Sequence, residues 1–225
     1  MPTTQKTLMF LSSFVTSLGS VIIICLILGT QAWITSTLAT IDSFSNGSVI
    51  ITYGIFRGKS TQELTQGLTE PDKDFEVFGI LNNSPKSLQM ATLVFLVLSL
   101  LTSLLSSAFT FYNSISNPYQ TFLGPMGVYT WNGISAFSVF LAMLLFVGNT
   151  QSSQLSEELS RELYPGITIK EATHSYGYSF WLILLIILLN AVTVVIIFFY
   201  QKSRHQQRQA ERKPMEFAPR DGILF

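Results

Sequence analysis

Charge is the scarcest ingredient of this chain. Only 12% of its 225 residues are Asp, Glu, Lys or Arg, roughly half the share of an ordinary soluble domain. Four stretches, residues 8–28, 91–111, 128–148 and 180–200, contain no Asp, Glu, Lys, Arg or His. Proton relays and voltage sensors need ionisable groups at membrane depth, so helices built from these stretches exclude both. Cysteine is nearly as rare. The single Cys25 permits no intrachain disulfide, which rules out a disulfide framework even for loops in an oxidising compartment. The two histidines, His174 and His205, fall in segments that the topology below places on opposite membrane faces, so they share neither a metal nor a catalytic base. No zinc spacing, phosphate loop or nucleophile elbow is found. The expectation is no enzyme, no cofactor, no nucleic-acid partner and no small-molecule substrate.

Apolar residues are plentiful, at 48% with a mean hydropathy of +0.42. They concentrate in the four uncharged stretches. Each is 21 residues long, a helical rise of about 31 Å against a hydrocarbon core of about 30 Å. One charge at mid-membrane costs about 2.5 to 3.5 kcal/mol, enough to cancel several Leu or Ile residues, so the charge-free runs predict four membrane spans. The first run is diluted by Ser12, Ser13, Thr16, Ser17, Gly19 and Ser20, and Thr30-Gln31-Ala32 reads alternatively as a signal-peptide cleavage site that would start the chain at Trp33. Its length exceeds a signal-peptide core, so a retained signal anchor is expected.

Orientation follows from Lys and Arg. Residues 201–225 carry six, namely Lys202, Arg204, Arg208, Arg212, Lys213 and Arg220, while the loop 29–90 carries four and the loop 149–179 two. The positive-inside rule puts this tail in the cytosol, and an even number of spans returns the N-terminus, with Lys6, to the same side. The loop 112–127 is then a short cytosolic turn, and the long first loop lies outside. Asn46-Gly47-Ser48 and Asn82-Asn83-Ser84 are glycosylation triplets in that loop. Asn46 is the expected acceptor, because Pro85 and the nearby membrane disfavour Asn82.

In lipid, helices associate through small and hydroxyl side chains on one face. Ser12, Thr16 and Ser20 recur at spacing four in the first span, Ser99, Ser103 and Ser107 in the second, and Asn132 and Asn190 are the amide side chains of the third and fourth. Their expected role is helix packing rather than lining a pore. Cys25 is expected to be a buried apolar thiol rather than a palmitoylation site.

In the first loop, residues 33–41 and 49–56 have strand composition, with Asn46-Gly47 as a turn signal, so a β-hairpin or small sheet is predicted. Residues 58–74 are polar and read as a flexible remainder of the loop. Leu155, Leu159 and Leu163 at spacing four predict that the third helix continues past the membrane with an apolar face against the sheet. His174 reads as a polar loop residue. Asn117-Pro118 and Gly124-Pro125 mark a tight turn between the second and third spans. The fold class is therefore an all-α membrane protein, a four-helix transmembrane bundle with a small extracellular sheet.

The tail adds two candidate sites. Lys202, Arg204, Arg208, Arg212 and Lys213 form a basic run suited to anionic lipid. Ile223, Leu224 and Phe225 end the chain as apolar-x-apolar with a free carboxylate, the pattern that adds a strand to a PDZ-type scaffold. Partners are thus the lipid bilayer, other membrane proteins laterally and a cytosolic PDZ-type scaffold.

Several segments carry a family resemblance over nearly the whole chain: the opening Met-Pro, Leu28-Gly29-Thr30-Gln31-Ala32-Trp33, Tyr53-Gly54-Ile55-Phe56-Arg57-Gly58, Gly124-Pro125-Met126-Gly127-Val128-Tyr129, Leu155-Ser156-Glu157-Glu158 and Ser179-Phe180-Trp181. Together they resemble the clarin family, and Arg220-Asp221-Gly222-Ile223-Leu224-Phe225 resembles one branch of it in particular. The resemblance implies a glycosylated four-span protein of the plasma membrane, distantly similar to tetraspanins and claudins. It also implies membrane and actin organisation of the kind tied to hair cells and photoreceptors for the founding member. Trp33 with Gly54-Ile55-Phe56 looks like the claudin-type external signature, without the cysteine pair that staples that loop. The function expected is a non-enzymatic organiser of membrane partners, with a claudin-like adhesion or barrier protein, or an auxiliary channel subunit, as the alternative.

Overall fold

Each uncharged run lies inside a longer helix. The computed structural model describes residues 3–41, 46–64, 69–115 and 124–216. In chain order the elements are α1 (Thr3–Gly29), β1 (Ile34–Ile41), β2 (Asn46–Tyr53), β3 (Arg57–Leu64), β4 (Lys73–Glu76), α2 (Val77–Ile80), α3 (Asn83–Ile115), α4 (Pro125–Ser152), α5 (Leu155–Leu163), β5 (Thr168–Tyr176) and α6 (Tyr178–Glu216). Four of these helices, over Lys6–Gly29, Ser84–Ile115, Pro125–Ser152 and Tyr178–Gln207, are long and apolar enough to cross a membrane. They pack in the ring order α1, α3, α4, α6, so every neighbour in the ring is antiparallel.

The bundle is inverted relative to a soluble one. On α1 the side chains of Leu8, Leu11, Val15, Leu18, Ile22 and Leu26 point outward, whereas Ser13, Ser17 and Ser20 are buried with Phe10, Ile24 and Ile27. The same division runs along α3, where Val94, Leu101 and Leu104 face out and Ser99, Ser103 and Ser106 face in. Water would drive the opposite arrangement; lipid solvates the outward Leu and Val and leaves small polar groups to pair inside. The inward stripe of α1 is therefore Ser13-Ser17-Ser20, not Ser12-Thr16-Ser20, because Ser12 is exposed and Thr16 half-buried. Cys25 is also exposed on the outer face, which overturns the expectation of a buried thiol.

One end of the bundle carries a five-stranded antiparallel sheet in the order β4-β3-β2-β1-β5. The first four strands come from the loop between α1 and α3, and β5 crosses from the loop before α6. Inward positions alternate with outward ones, as the pleat requires: Ile34, Ser36, Leu38 and Thr40 on β1, and Val49, Ile51 and Tyr53 on β2, are buried.

Several details differ from the sequence reading. Within residues 58–74 the described part includes β3 up to Leu64 and the start of β4 at Lys73. Asn46 and Gly47 are not the hairpin turn; they pair with Ile41 and Thr40 as the first residues of β2. His174 belongs to β5 rather than to a loop. The third helix does not continue into α5, because Ser153 and Gln154 break it, Gln154 at a left-handed φ of 48°. The break turns α5 so that Leu155 and Leu159 bury into the shared core. Pro125 starts α4 at its first turn, where the missing N–H costs nothing, while Asn117-Pro118 lies outside the described residues.

Candidate functional site

Two polar clusters stand out, one along the bundle axis and one under the sheet. At mid-bundle the Ser135 hydroxyl of α4 is the hub. It lies 2.9 Å from Ser99 Oγ and 2.7 Å from Ser103 Oγ on α3, and accepts from Asn190 Nδ2 of α6 at 3.2 Å. The Ser17 hydroxyl of α1 donates to the Ser103 carbonyl at 3.3 Å. All four spanning helices thus meet at one level without a charge. Nearby, Asn132 Nδ2 donates to Ser106 Oγ at 2.6 Å, and Thr16 Oγ1 and Thr193 Oγ1 join α1 to α6 at 2.7 Å. The structure brings Ser99, Ser103 and Asn190 together through Ser135. Ser107 is buried, and its carbonyl accepts from Thr110 of the same helix. Ser135 itself was missed. Its signal was the small-residue face Asn132, Ser135, Ser138, Ala142, all buried on α4.

The second cluster ties the sheet to the helices. Ser156 Oγ of α5 lies 2.7 Å from Ser36 Oγ and 2.8 Å from Tyr53 OH, and Ser36 Oγ lies 2.9 Å from His174 Nδ1. Three strands and a helix therefore share one hydroxyl knot. Burial pushes the Tyr53 hydroxyl well above the usual tyrosine range, with the Ser156 hydrogen bond pulling the other way. Trp33 is fully buried, its Nε1 donating to the Ile27 carbonyl at 2.7 Å and its ring 4.9 Å from that of Phe146. That bond satisfies one of the carbonyls orphaned at the end of α1. On the other side Gln89 Nε2 donates to the Ile55 carbonyl at 3.1 Å, and Asn149 Nδ2 to the Pro85 carbonyl at 3.1 Å. Gly54 packs so closely on the Thr30 backbone carbonyl that any Cβ would collide with it.

The remaining candidate residues are dispersed. Asn46 opens β2 at the far end of the hairpin, and its side chain lies outside the described residues. Asn82 is exposed just before α3, its backbone N–H donating to Glu158 Oε1 at 3.0 Å. Lys202 and Arg204 are exposed on α6, which continues through the basic run. The side chains of Arg208, Arg212 and Lys213, and all of Ile223, Leu224 and Phe225, lie outside the described residues. No group of three or more His, Cys, Asp or Glu able to hold a metal occurs among the described residues.

A family described as Clarin-2-like matches residues 4–197. Clarin-3 of Homo sapiens is 73% identical over 226 residues, covering 100% of both chains, and Clarin-3 of Rattus norvegicus is 70% identical with the same coverage. Clarin-1 of Homo sapiens is more distant, at 26% over 81% of this chain and 83% of its own. The full-length likeness to Clarin-3 fits the branch that the terminal residues resemble.

Proposed function

The chain belongs to the clarin family, and from that membership we propose that it is a non-enzymatic tetraspan organiser of the plasma membrane. It works by lateral contact with other membrane proteins and, through its tail, with PDZ-type, actin-linked scaffolds in sensory cells or epithelia. The observation that carries this reading is the inverted bundle: large apolar side chains ring its outside while uncharged hydroxyls and amides bond within. Such a body offers neighbouring spans a fixed lateral surface. Residues 8–28, 91–111, 128–148 and 180–200 sit in hydrocarbon, both termini are cytosolic and the sheet is extracellular. The six tail Lys and Arg residues support this orientation, and the basic run on α6 meets anionic lipid at about 1 kcal/mol per residue.

Proximity labelling from a tail-fused ligase in an expressing tissue tests the proposal. Recovery of membrane proteins and scaffold adaptors, with the adaptors lost on deletion of Phe225, is expected; a labelled set identical to that of an unrelated four-span control refutes it. Orientation is tested separately. Enzymatic removal of N-glycans is expected to shift the gel mobility of the wild type and not of Asn46→Gln, and the absence of any shift counts against an external sheet.

A claudin-like adhesion or auxiliary-subunit role is the second reading. It is favoured by the outer face of the sheet, where the register aligns Ser175, Thr35, Thr52 and Lys59 in one row and Thr173, Thr37, Ile50 and Thr61 in the next. Enrichment of the tagged protein at cell contacts separates this role from the first.

A further inference from the structure

Where α1 ends beneath the sheet, a cavity of about 430 Å³ opens between the helix end and strands β3 and β4. Leu28 and Gln31 form one wall, Phe56 and Phe78 another, and Arg57 and Glu76 stand at its polar side. A second hollow of about 300 Å³ shares Gln31, Arg57 and Glu76 with it. The uncharged course of α1 stops at Gly29, so the cavity sits where hydrocarbon gives way to headgroups.

Its chemistry is paired but not closed. Arg57 and Glu76 are register partners across β3 and β4, an arrangement in which opposite charges ordinarily meet. The ion pairs among the described residues join Lys59 to Asp74, Lys73 to Glu70 and Arg161 to Glu157, and include neither. Both residues are exposed and line the cavity. The Val77 N–H donates to the Phe56 carbonyl at 2.9 Å, and the single turn of α2 sets the Phe78 ring 6.1 Å from that of Phe56. Phe56 lines the cavity and remains 41% exposed.

We propose that this cavity binds the headgroup of a phosphocholine lipid, with the phosphate on the Arg57 guanidinium and the quaternary ammonium between the Glu76 carboxylate and the Phe56 and Phe78 rings. Guanidinium matches phosphate in a bidentate fork. A carboxylate beside aromatic faces suits a quaternary ammonium, which donates no hydrogen bond and is held by charge and by ring quadrupoles. The C-terminal end of α1 adds partial negative charge on the ammonium side. An anionic lipid would satisfy Arg57 and leave Glu76 facing like charge.

The test uses full-length protein purified in detergent, with bound lipid counted by native mass spectrometry. Phosphatidylcholine is titrated against phosphatidylglycerol of the same chains and against free phosphocholine. The wild type is expected to prefer phosphatidylcholine over both. Arg57→Ala and Glu76→Gln are each expected to weaken phosphatidylcholine by about tenfold, and Glu76→Gln to shift the preference toward phosphatidylglycerol. Both positions are exposed, and unchanged melting of each variant verifies its fold; should Arg57→Ala fail to fold, Glu76→Gln decides. Equal binding of the two lipids by the wild type overturns the proposal, as does unchanged phosphatidylcholine binding in the folded variants. Phosphocholine binding as tightly as the lipid overturns it too, by making the site one for a soluble ligand.

Discussion

Replacing Ser135 with alanine tests whether the bundle is held by its polar seam. One hydroxyl donates once and accepts at most twice, so of its four neighbours, Ser99 Oγ at 2.9 Å, Ser103 Oγ at 2.7 Å, Asn190 Nδ2 at 3.2 Å and the Ser99 carbonyl at 3.4 Å, three bond at a time. Interhelical hydrogen bonds in lipid average about 0.6 kcal/mol each, so Ser135→Ala is expected to cost about 2 kcal/mol. That is roughly a thirtyfold shift of the folding equilibrium. The assay is reversible unfolding by SDS in mixed micelles, followed by far-UV circular dichroism. The matched control is Ser12→Ala, because Ser12 is exposed on α1 and donates only to the Met9 carbonyl of its own helix at 2.9 Å. Its change is expected to stay within a few tenths of a kcal/mol. If the two variants prove indistinguishable, the seam contributes nothing net and apolar packing alone holds the helices.

Three further expectations concern the junction with the sheet. Gly54→Ala drives a Cβ into the rigid Thr30 carbonyl and is expected to cost about 3 kcal/mol or more, read as lost surface delivery, while Gly133→Ala, where a Cβ meets open space, is tolerated. Trp33→Phe keeps a ring but removes the indole bond to the Ile27 carbonyl, leaving it the Thr30 hydroxyl at 3.3 Å, an expected loss of about 1 kcal/mol in thermal unfolding. Tyr53 holds its proton more tightly folded than unfolded, because it is buried. Its contribution is therefore complete below the ordinary tyrosine value of about 10 and drains as pH rises above it. The stability of Tyr53→Phe is expected to fall less steeply between neutral and alkaline pH than that of the wild type.

The sequence disclosed what depends on composition and hid what depends on partners. Uncharged runs located the spanning helices, yet each helix outlasts its run: α3 begins at Asn83 and α6 reaches Glu216, because backbone hydrogen bonding does not stop where hydropathy does. Strands β1 and β2 were legible in their β-branched alternation. Strand β3 was not, because its inward positions are Gly58, Ser60 and Gln62 rather than apolar residues. Gly58 leaves room for Phe75 and Tyr53, whose side chains occupy the place of a Cβ, so the apolar filling comes from neighbours. Strand β5 alternates Ala172, His174, Tyr176 inward against Thr173 and Ser175 outward, but its partner is β1, more than a hundred residues earlier, and such pairing leaves no local trace. Ser135 was illegible for a related reason: a serine becomes a hub only when other helices aim side chains at it, here Ser99 and Ser103 of α3 and Asn190 of α6.

A loop without cysteines must be fixed by other means, and the means chosen here couple the sheet to the membrane helices. One continuous apolar cluster contains Ile24, Ile27 and Phe146 of the spans together with Trp33, Ile51 and Tyr53 of the sheet and Leu155 of α5. Tilting the sheet about the end of α1 would break the Trp33 indole bond to Ile27 and the backbone bonds from Gly177 to Trp33 and from Ser179 to Ala32, at 2.8 and 3.2 Å. It would also break the Gln89 bond to the Ile55 carbonyl on the opposite side. Each buried bond lost leaves an unsatisfied group at a cost of about 1 to 3 kcal/mol, so independent motion of the sheet is excluded long before the core opens. A disulfide would stiffen the loop internally and leave its hinge to the bundle free. Bonds that run from strand to helix do the reverse: they make the sheet a rigid extension of α1, α3, α4 and α6. A contact made on the sheet is therefore carried by the orientation of the whole bundle, which is the property an organiser of neighbouring membrane proteins requires.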